Sequence, residues 1–253
     1  MAMAEGPFSL AGRTAVVTGA ASGLGRAMAL AMAEAGAAIV AVDRDVEGLA
    51  SFIGSAPGEV LTLGGDVADL AFLEHCLAAS IARFGRVDIL LCAAGRALRK
   101  DALATTPDDF DALMDVNLRA LFFWNRAFGR HMIERGGGSI VNVASQGAFA
   151  PLEGRPVYCA SKAAVVQLSR TLALDWVRHG VRVNALAPGL MDTPFIATMK
   201  SDHRRMEHAL AHIPAGRMGV PDDLAGPILL LVSDAGRYIV GHTLVVDGGW
   251  TIY

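Results

Sequence analysis

The chain has 253 residues, 53% of them hydrophobic and 19% charged, which excludes a disordered chain and suits one large α/β core. A formal net charge of -3 and a pI near 6.1 leave no basic footprint for nucleic acid. No uncharged apolar run reaches the roughly 18 residues that a membrane-spanning helix requires.

Cys76, Cys92 and Cys159 are an odd number without close pairing, the pattern of reduced thiols in a cytoplasmic setting. The start, Met1 to Pro7, lacks the basic and apolar regions of a signal peptide. The first predicted strand is Thr14–Thr18, short and β-branched. It enters the loop Gly19-Ala-Ala-Ser22-Gly23-Leu24-Gly25, and a helical pattern follows through Met28, Leu30, Ala31 and Met32 to Gly36. A second strand, Ala38–Val42, closes on Asp43. Strand, glycine loop, helix, strand and acid together make a βαβ dinucleotide unit. Glycine permits the tight turn and the close backbone approach that a pyrophosphate needs, and the helix N-terminus offers free N–H groups. The spacing is Gly-x-x-x-Gly-x-Gly, with neutral Ser22 inside it. Asp43 can accept both ribose hydroxyls of NAD and would repel the 2′-phosphate of NADP. Arg44 beside it suits a 2′-phosphate; the balance favours NAD over NADP.

Val60–Leu63 is the third strand, with Asp66 and Val67 placed to meet an adenine. A helix from about Asp69 to Arg83 carries Phe72, Leu73, Leu77 and Ile81 as its core stripe. Val87–Leu91 is the fourth strand, and the small residues Ala94 and Gly95 after it let a cofactor lie close. Pro107 starts a helix toward Asn117; a longer one continues through Leu121, Phe122, Trp124 and Phe128 to Met132 and breaks at Gly136–Gly138. The fifth strand, Ser139–Val143, ends at Ala144 and Ser145, and a loop with Gln146, Phe149, Pro151, Glu153, Arg155 and Pro156 follows.

Tyr158 and Lys162 then stand one helical turn apart, on a helix running to about Arg178 with Val165, Leu168, Leu172, Leu174 and Val177 at apolar spacing. Free tyrosine titrates near ~10, too high for a general base at neutral pH. An ammonium one turn away favours the phenolate and suits the pair to proton transfer with an alcohol oxygen. The sixth strand, Val181–Ala185, closes on Pro188 and Gly189, and a polar helical stretch runs from Thr193 to about His212. Pro221 opens a helix through Leu229–Val232, and Thr243–Val246 is the last strand. His203, His208 and His212 belong to a solvated helix rather than to a metal site, and Cys159 to packing. The alternation of strands and helices argues for one doubly wound parallel sheet in one domain, residues 1–253. Gly19, Asp43, Asp66, Gly95, Ser145 and Pro188 all fall at strand carboxyl ends, where such sheets bind ligands.

On Thr18–Gly25, Asn117, Ser145, Tyr158-x-x-x-Lys162, Asn184–Gly189 and Val246–Gly249, the chain resembles the single-domain short-chain dehydrogenase/reductases from about Leu10 to Trp250. The resemblance implies a Rossmann-type doubly wound seven-stranded parallel sheet with helices on both faces, α/β in class. Tyr158 would be the general acid/base, Lys162 would lower its pKa and hold the nicotinamide ribose, Ser145 would bond the reacting oxygen, and Asn117 would hold a relay water. Pro188 to Leu190 and Thr193 would sit near the nicotinamide amide. The family usually has Asn-Asn-Ala-Gly after its fourth strand, where this chain has Cys92-Ala93-Ala94-Gly95; the missing side chains would brace the sheet. The resemblance also implies a homotetramer or homodimer with twofold symmetry, and the apolar long helices and the tail Trp250–Tyr253 suit a buried interface.

Arg96–Lys100, Ile213–Arg217 and the ending through Trp250 resemble the sugar-acid branch, the gluconate 5-dehydrogenases and 2-keto-3-deoxygluconate dehydrogenases. Arg96, Arg99, Lys100 or Arg155 could bind a substrate carboxylate. The expectation is NAD-dependent oxidation of a secondary alcohol of a sugar acid or polyol. Two alternatives stay open. A 3-oxoacyl or small-ketone reductase using NADPH would suit Phe149, Leu152 and Met191. A nicotinamide-binding scaffold with little turnover is the other.

Overall fold

The computed structural model describes residues 6–193, 196 and 203–252. Its centre is a seven-stranded sheet in the order β3-β2-β1-β4-β5-β6-β7, and every pairing is parallel. The strands are β1 (Thr14–Thr18), β2 (Ala38–Asp43), β3 (Val60–Gly64), β4 (Ile89–Cys92), β5 (Gly138–Val143), β6 (Val181–Pro188) and β7 (Thr243–Val246). Between them run α1 (Gly23–Glu34), α2 (Val46–Ile53), α3 (Leu70–Phe84), α4 (Pro107–Met114), α5 (Leu121–Glu134), α6 (Pro156–Trp176), α7 (His203–Ala211) and α8 (Ala225–Val232).

Parallel strands are covered on both faces, so their side chains feed two cores alternately. Ala15, Val17, Ile39 and Ala41 join Met28 and Met32 of α1 and Ile228 and Val232 of α8. Val16, Val40 and Val42 join Leu73, Trp124, Phe128 and Val165 on the other face. Helix starts carry their own signals. Asp45 accepts from Gly48 N at 3.0 Å, Asp69 accepts from Ala71 N at 2.8 Å, and Thr106 and Asp109 cap each other ahead of Pro107.

Several expectations need correcting. α2 was not anticipated, although Asp45 and the spacing of Val46, Leu49 and Phe52 announce it. On α3 the buried face is Leu73, Cys76 and Ser80; Phe72 and Leu77 pack only at its margin. On α6, Leu174 is 76% exposed, because it lies about 200° round the helix from buried Leu172. Val177 falls in a 3₁₀ turn beyond the helix end. The polar stretch expected from Thr193 is helical over α7; residues 194, 195 and 197–202, and Tyr253 of the tail, lie outside the described residues.

The unusual Cys92-Ala93 pair lies beside a buried polar network. Buried Asn142 of β5 stands beside Cys92 in register. Its Nδ2 donates to Asn125 Oδ1 and to Ser169 Oγ, each at 3.0 Å, and its Oδ1 accepts from Asn125 Nδ2 at 2.9 Å. The network ties β5 to α5 and α6 beside Cys92. The Cys92 thiol only touches it, at 3.6 Å from Asn125 Nδ2, and burial pushes that thiol up to about 12. Asn142→Ala leaves the buried Asn125 Oδ1 without its donor and takes one bond from Ser169, although Asn125 Nδ2 still donates to Leu121 O and Ser169 Oγ to Val165 O. The expected loss is about 2 to 4 kcal/mol of stability, read as a lower urea midpoint at unchanged slope.

Candidate active site

The strand order reverses between β1 and β4, which opens a crevice at their carboxyl ends. A cavity of about 570 Å³ occupies it. The glycines on its floor are there by necessity. Gly19 has φ +75°, and a Cβ on it would come within 2.8 Å of Ala94 N. A Cβ on Gly25 would fall 2.1 Å from Gly19 O. Ser22 begins α1 without a side-chain cap, so the helix's first N–H groups are left for a ligand. This cradle, which any side chain would fill, fits a dinucleotide pyrophosphate.

The other predicted cofactor residues surround the same cavity: Ser22, Gly23, Leu24, Asp43, Arg44, Asp66, Val67, Ala94, Gly95, Pro188, Gly189 and Thr193. Asp43 ends β2; its Oδ2 accepts from Ala21 N at 3.0 Å and its Oδ1 from Asp45 N at 3.1 Å. Arg44 is exposed at the wall. Thr193 is buried, its side chain facing Gly23. A Cβ on Gly189 would meet Asp247 Cα at 2.5 Å, so glycine lets the β6 and β7 ends close together.

Ser145, Tyr158 and Lys162 line the same cavity as the cradle. Tyr158 is buried, 7% exposed. Burial pushes its phenol up; the Ser145 hydroxyl and the Arg155 guanidinium work the other way. Lys162 Nζ donates to Val143 O at 2.8 Å and lies 5.9 Å from the Tyr158 ring centroid. Burial brings that ammonium down to about 8.

Asn117 sits beneath the cavity wall in a π-helical turn, Asp115–Ala120. Its Oδ1 accepts from Arg96 N at 2.8 Å, and its Nδ2 donates to Arg96 O at 3.0 Å and Ser161 Oγ at 3.2 Å. The side chain clamps the loop after β4, so a relay water would have to use its main chain.

Gln146, noted in the sequence only as an unusual loop choice, lines the cavity with its Oε1 buried and without a donor among the described residues. That acceptor suits a ligand N–H or O–H. Leu190 lines the wall as expected; Ile196 and Val116 also line it, and no sequence motif marks those two. Phe149 is 45% exposed and does not reach the cavity. His208 of α7 and His212 just beyond its end have ring centroids 4.3 Å apart at a tilt of 36°, and the side chain of His203 is outside the described set. No described helix is long and apolar enough to cross a membrane.

Comparison with known proteins agrees with this geometry. The sequence profile described as "Enoyl-(Acyl carrier protein) reductase" matches residues 19–251. The chain is 40% identical over 246 residues to the 2-dehydro-3-deoxy-D-gluconate 5-dehydrogenase of Escherichia coli, covering 96% of this chain and 97% of that one. It is 42% identical over 248 residues to the D-threitol dehydrogenase of Mycolicibacterium smegmatis, covering 97% and 95%. A solved gluconate 5-dehydrogenase from Burkholderia cenocepacia, in complex with NADP and tartrate, superimposes with a TM-score of 0.92 at 38% identity, covering 98% of each chain. The glycine cradle after β1, the Ser145, Tyr158 and Lys162 side chains on one cavity, and these likenesses along almost the whole length place the chain in the short-chain dehydrogenase/reductase family.

Proposed function

We propose that this protein is an NAD(P)-dependent dehydrogenase acting on a secondary alcohol of a sugar acid or polyol. The observation that carries it is the convergence of Ser145, Tyr158 and Lys162 on the cavity that holds the glycine cradle. A bound nicotinamide dinucleotide takes up the hydride when the alcohol is oxidised and gives it back in reduction. Tyr158 accepts the hydroxyl proton in the first direction and returns it in the second. Ser145 would hold the reacting oxygen and Lys162 would reach the sugar next to the nicotinamide, while Asn117 fixes the loop that bears Gly95.

NAD is the preferred form on this reading, supported by the Asp43 carboxylate at the end of β2. NADP is a second reading, supported by Arg44, exposed at the cavity wall, and by the NADP in the B. cenocepacia relative. The sugar-acid and polyol relatives support the substrate class. The ketoacyl-reductase alternative keeps Leu152 and Met191 at the cavity but loses Phe149.

The test is a panel of gluconate, 2-keto-3-deoxygluconate, tetritols and simple secondary alcohols with NAD or NADP, followed as reduced nicotinamide absorbance. Turnover concentrated on the acids or polyols is expected. Activity confined to ketoacyl thioesters with NADPH would overturn both the substrate and the cofactor reading.

A further inference from the structure

Of the cations near the cavity mouth, two are already occupied. Lys100 is paired with Asp109. The Arg96 guanidinium is exposed and donates to Ala112 O at 3.4 Å. Arg155 is different. It lines the cavity and is partly buried, and its guanidinium has no hydrogen bond or ion pair among the described residues. Its main chain is pinned on both sides: its N–H donates to Leu152 O at 3.2 Å, and its carbonyl accepts from Cys159 N at 2.9 Å.

Arg99 approaches from the other loop. Its Cγ and Nε lie 3.7 and 3.8 Å from where a Cβ on Gly154 would be, and the two loops are joined by Lys100 N donating to Gly154 O at 2.8 Å. Arg99 is close enough to Arg155 to disfavour the charge on the Arg155 guanidinium, which burial disfavours first. A half-buried arginine beside a like charge is costly unless an anion completes the site. Arg155 also stands at the N-cap of α6, three residues before Tyr158.

We propose that Arg155, with Arg99 behind it, is the anchor for the carboxylate of the substrate and sets the preference for acids over neutral polyols. The inference rests on the sugar-acid reading above. A carboxylate can accept two parallel N–H bonds from the guanidinium fork, which a hydroxyl cannot match. Anchored there, the molecule presents a carbinol a few carbons away to Tyr158 and Ser145. Leu152, at the same wall, offers no competing acceptor.

Arg155→Gln is expected to lower the ratio of kcat/KM for gluconate to kcat/KM for threitol by about 10- to 100-fold, mainly through KM for the acid. Arg155→Lys should restore part of it, because the charge returns without the fork. Equal losses on both substrates would assign Arg155 to general support of the site and overturn the anchor. An independent arm needs no turnover: tartrate titrated calorimetrically into the NADH-loaded protein. Binding to the wild type that weakens at least about tenfold in Arg155→Gln supports the anchor even if neutral polyols prove the better substrates. No tartrate binding by the wild type, or the same affinity in both proteins, overturns it, whatever the enzyme oxidises.

Discussion

Replacing Tyr158 with phenylalanine is expected to cut turnover by about 10³- to 10⁴-fold while leaving dinucleotide affinity within about threefold. The change removes one oxygen from a side chain that is 7% exposed and otherwise packed. The ring stays in place, so the cradle at Gly19 and Gly25 is undisturbed. The effect falls on kcat, because proton transfer is needed only as the carbinol reacts. The pH profile adds a sign. Oxidation requires the phenolate, and burial favours the phenol, so oxidative kcat/KM climbs toward alkaline pH and the reductive direction falls. The residual rate of the phenylalanine variant loses that slope. Lys162 leaves a separate mark on stability. Its folded value of about 8 lies below the free value of 10.5, so between them the unfolded chain binds more protons. The cost of the buried ammonium is therefore full below pH about 8 and fades as pH rises toward about 10.5. Stopped-flow turnover across pH, with fluorescence titration of the reduced cofactor, checks the prediction. A variant that keeps both rate and slope would leave the scaffold reading standing.

How far the sequence announces these features depends on what kind of signal each residue leaves. The glycine loop is legible because backbone geometry permits almost nothing else. A Cβ at Gly25 would overlap a carbonyl, and such a constraint is local to the loop. The alternation of apolar strands and amphipathic helices likewise reports a sheet covered on both faces. Tertiary satisfaction is not written locally. Asn142 is legible only as a polar residue in a strand, and nothing nearby in sequence points to Asn125 or Ser169, its partners 17 and 27 residues away. Of the stripe expected on α3, Leu73 is buried and Phe72 and Leu77 pack at its margin, and the rest is hidden for a related reason. Hydrophobicity favoured Leu77 and Ile81, but the face turned to the sheet is filled by Cys76 and Ser80. Ser80 satisfies its hydroxyl on Cys76 O at 2.6 Å, which lets a polar residue be buried there. Among four candidate cations, the sequence could not separate Arg155 from Lys100, since the distinction lies in Asp109 reaching one and no carboxylate reaching the other.

Asp43→Asn is the second substitution with a large expected effect, and it acts on cofactor choice rather than chemistry. The wild-type carboxylate already accepts from Ala21 N and Asp45 N, which fixes its plane at the end of β2 and leaves lone pairs for two ribose hydroxyls. Asparagine keeps the shape but removes the charge and turns one acceptor into a donor. Losing charge-assisted bonds to the ribose lowers kcat/KM with NAD by about 10- to 100-fold. Losing the repulsion of a 2′-phosphate raises kcat/KM with NADP, so the NADP/NAD ratio moves by roughly 10³. Arg44 gives the opposite sign. Nothing holds it away from a 2′-phosphate, so Arg44→Ala should reduce use of NADP more than use of NAD. On the proposed reading one residue would repel the extra phosphate and its neighbour would attract it, so the two variants are expected to move the ratio in opposite directions. Initial rates with each cofactor at a fixed alcohol concentration measure that ratio. If the wild type prefers NADP and Asp43→Asn does not move the ratio, the carboxylate is only a brace for the glycine loop and the preference belongs to Arg44.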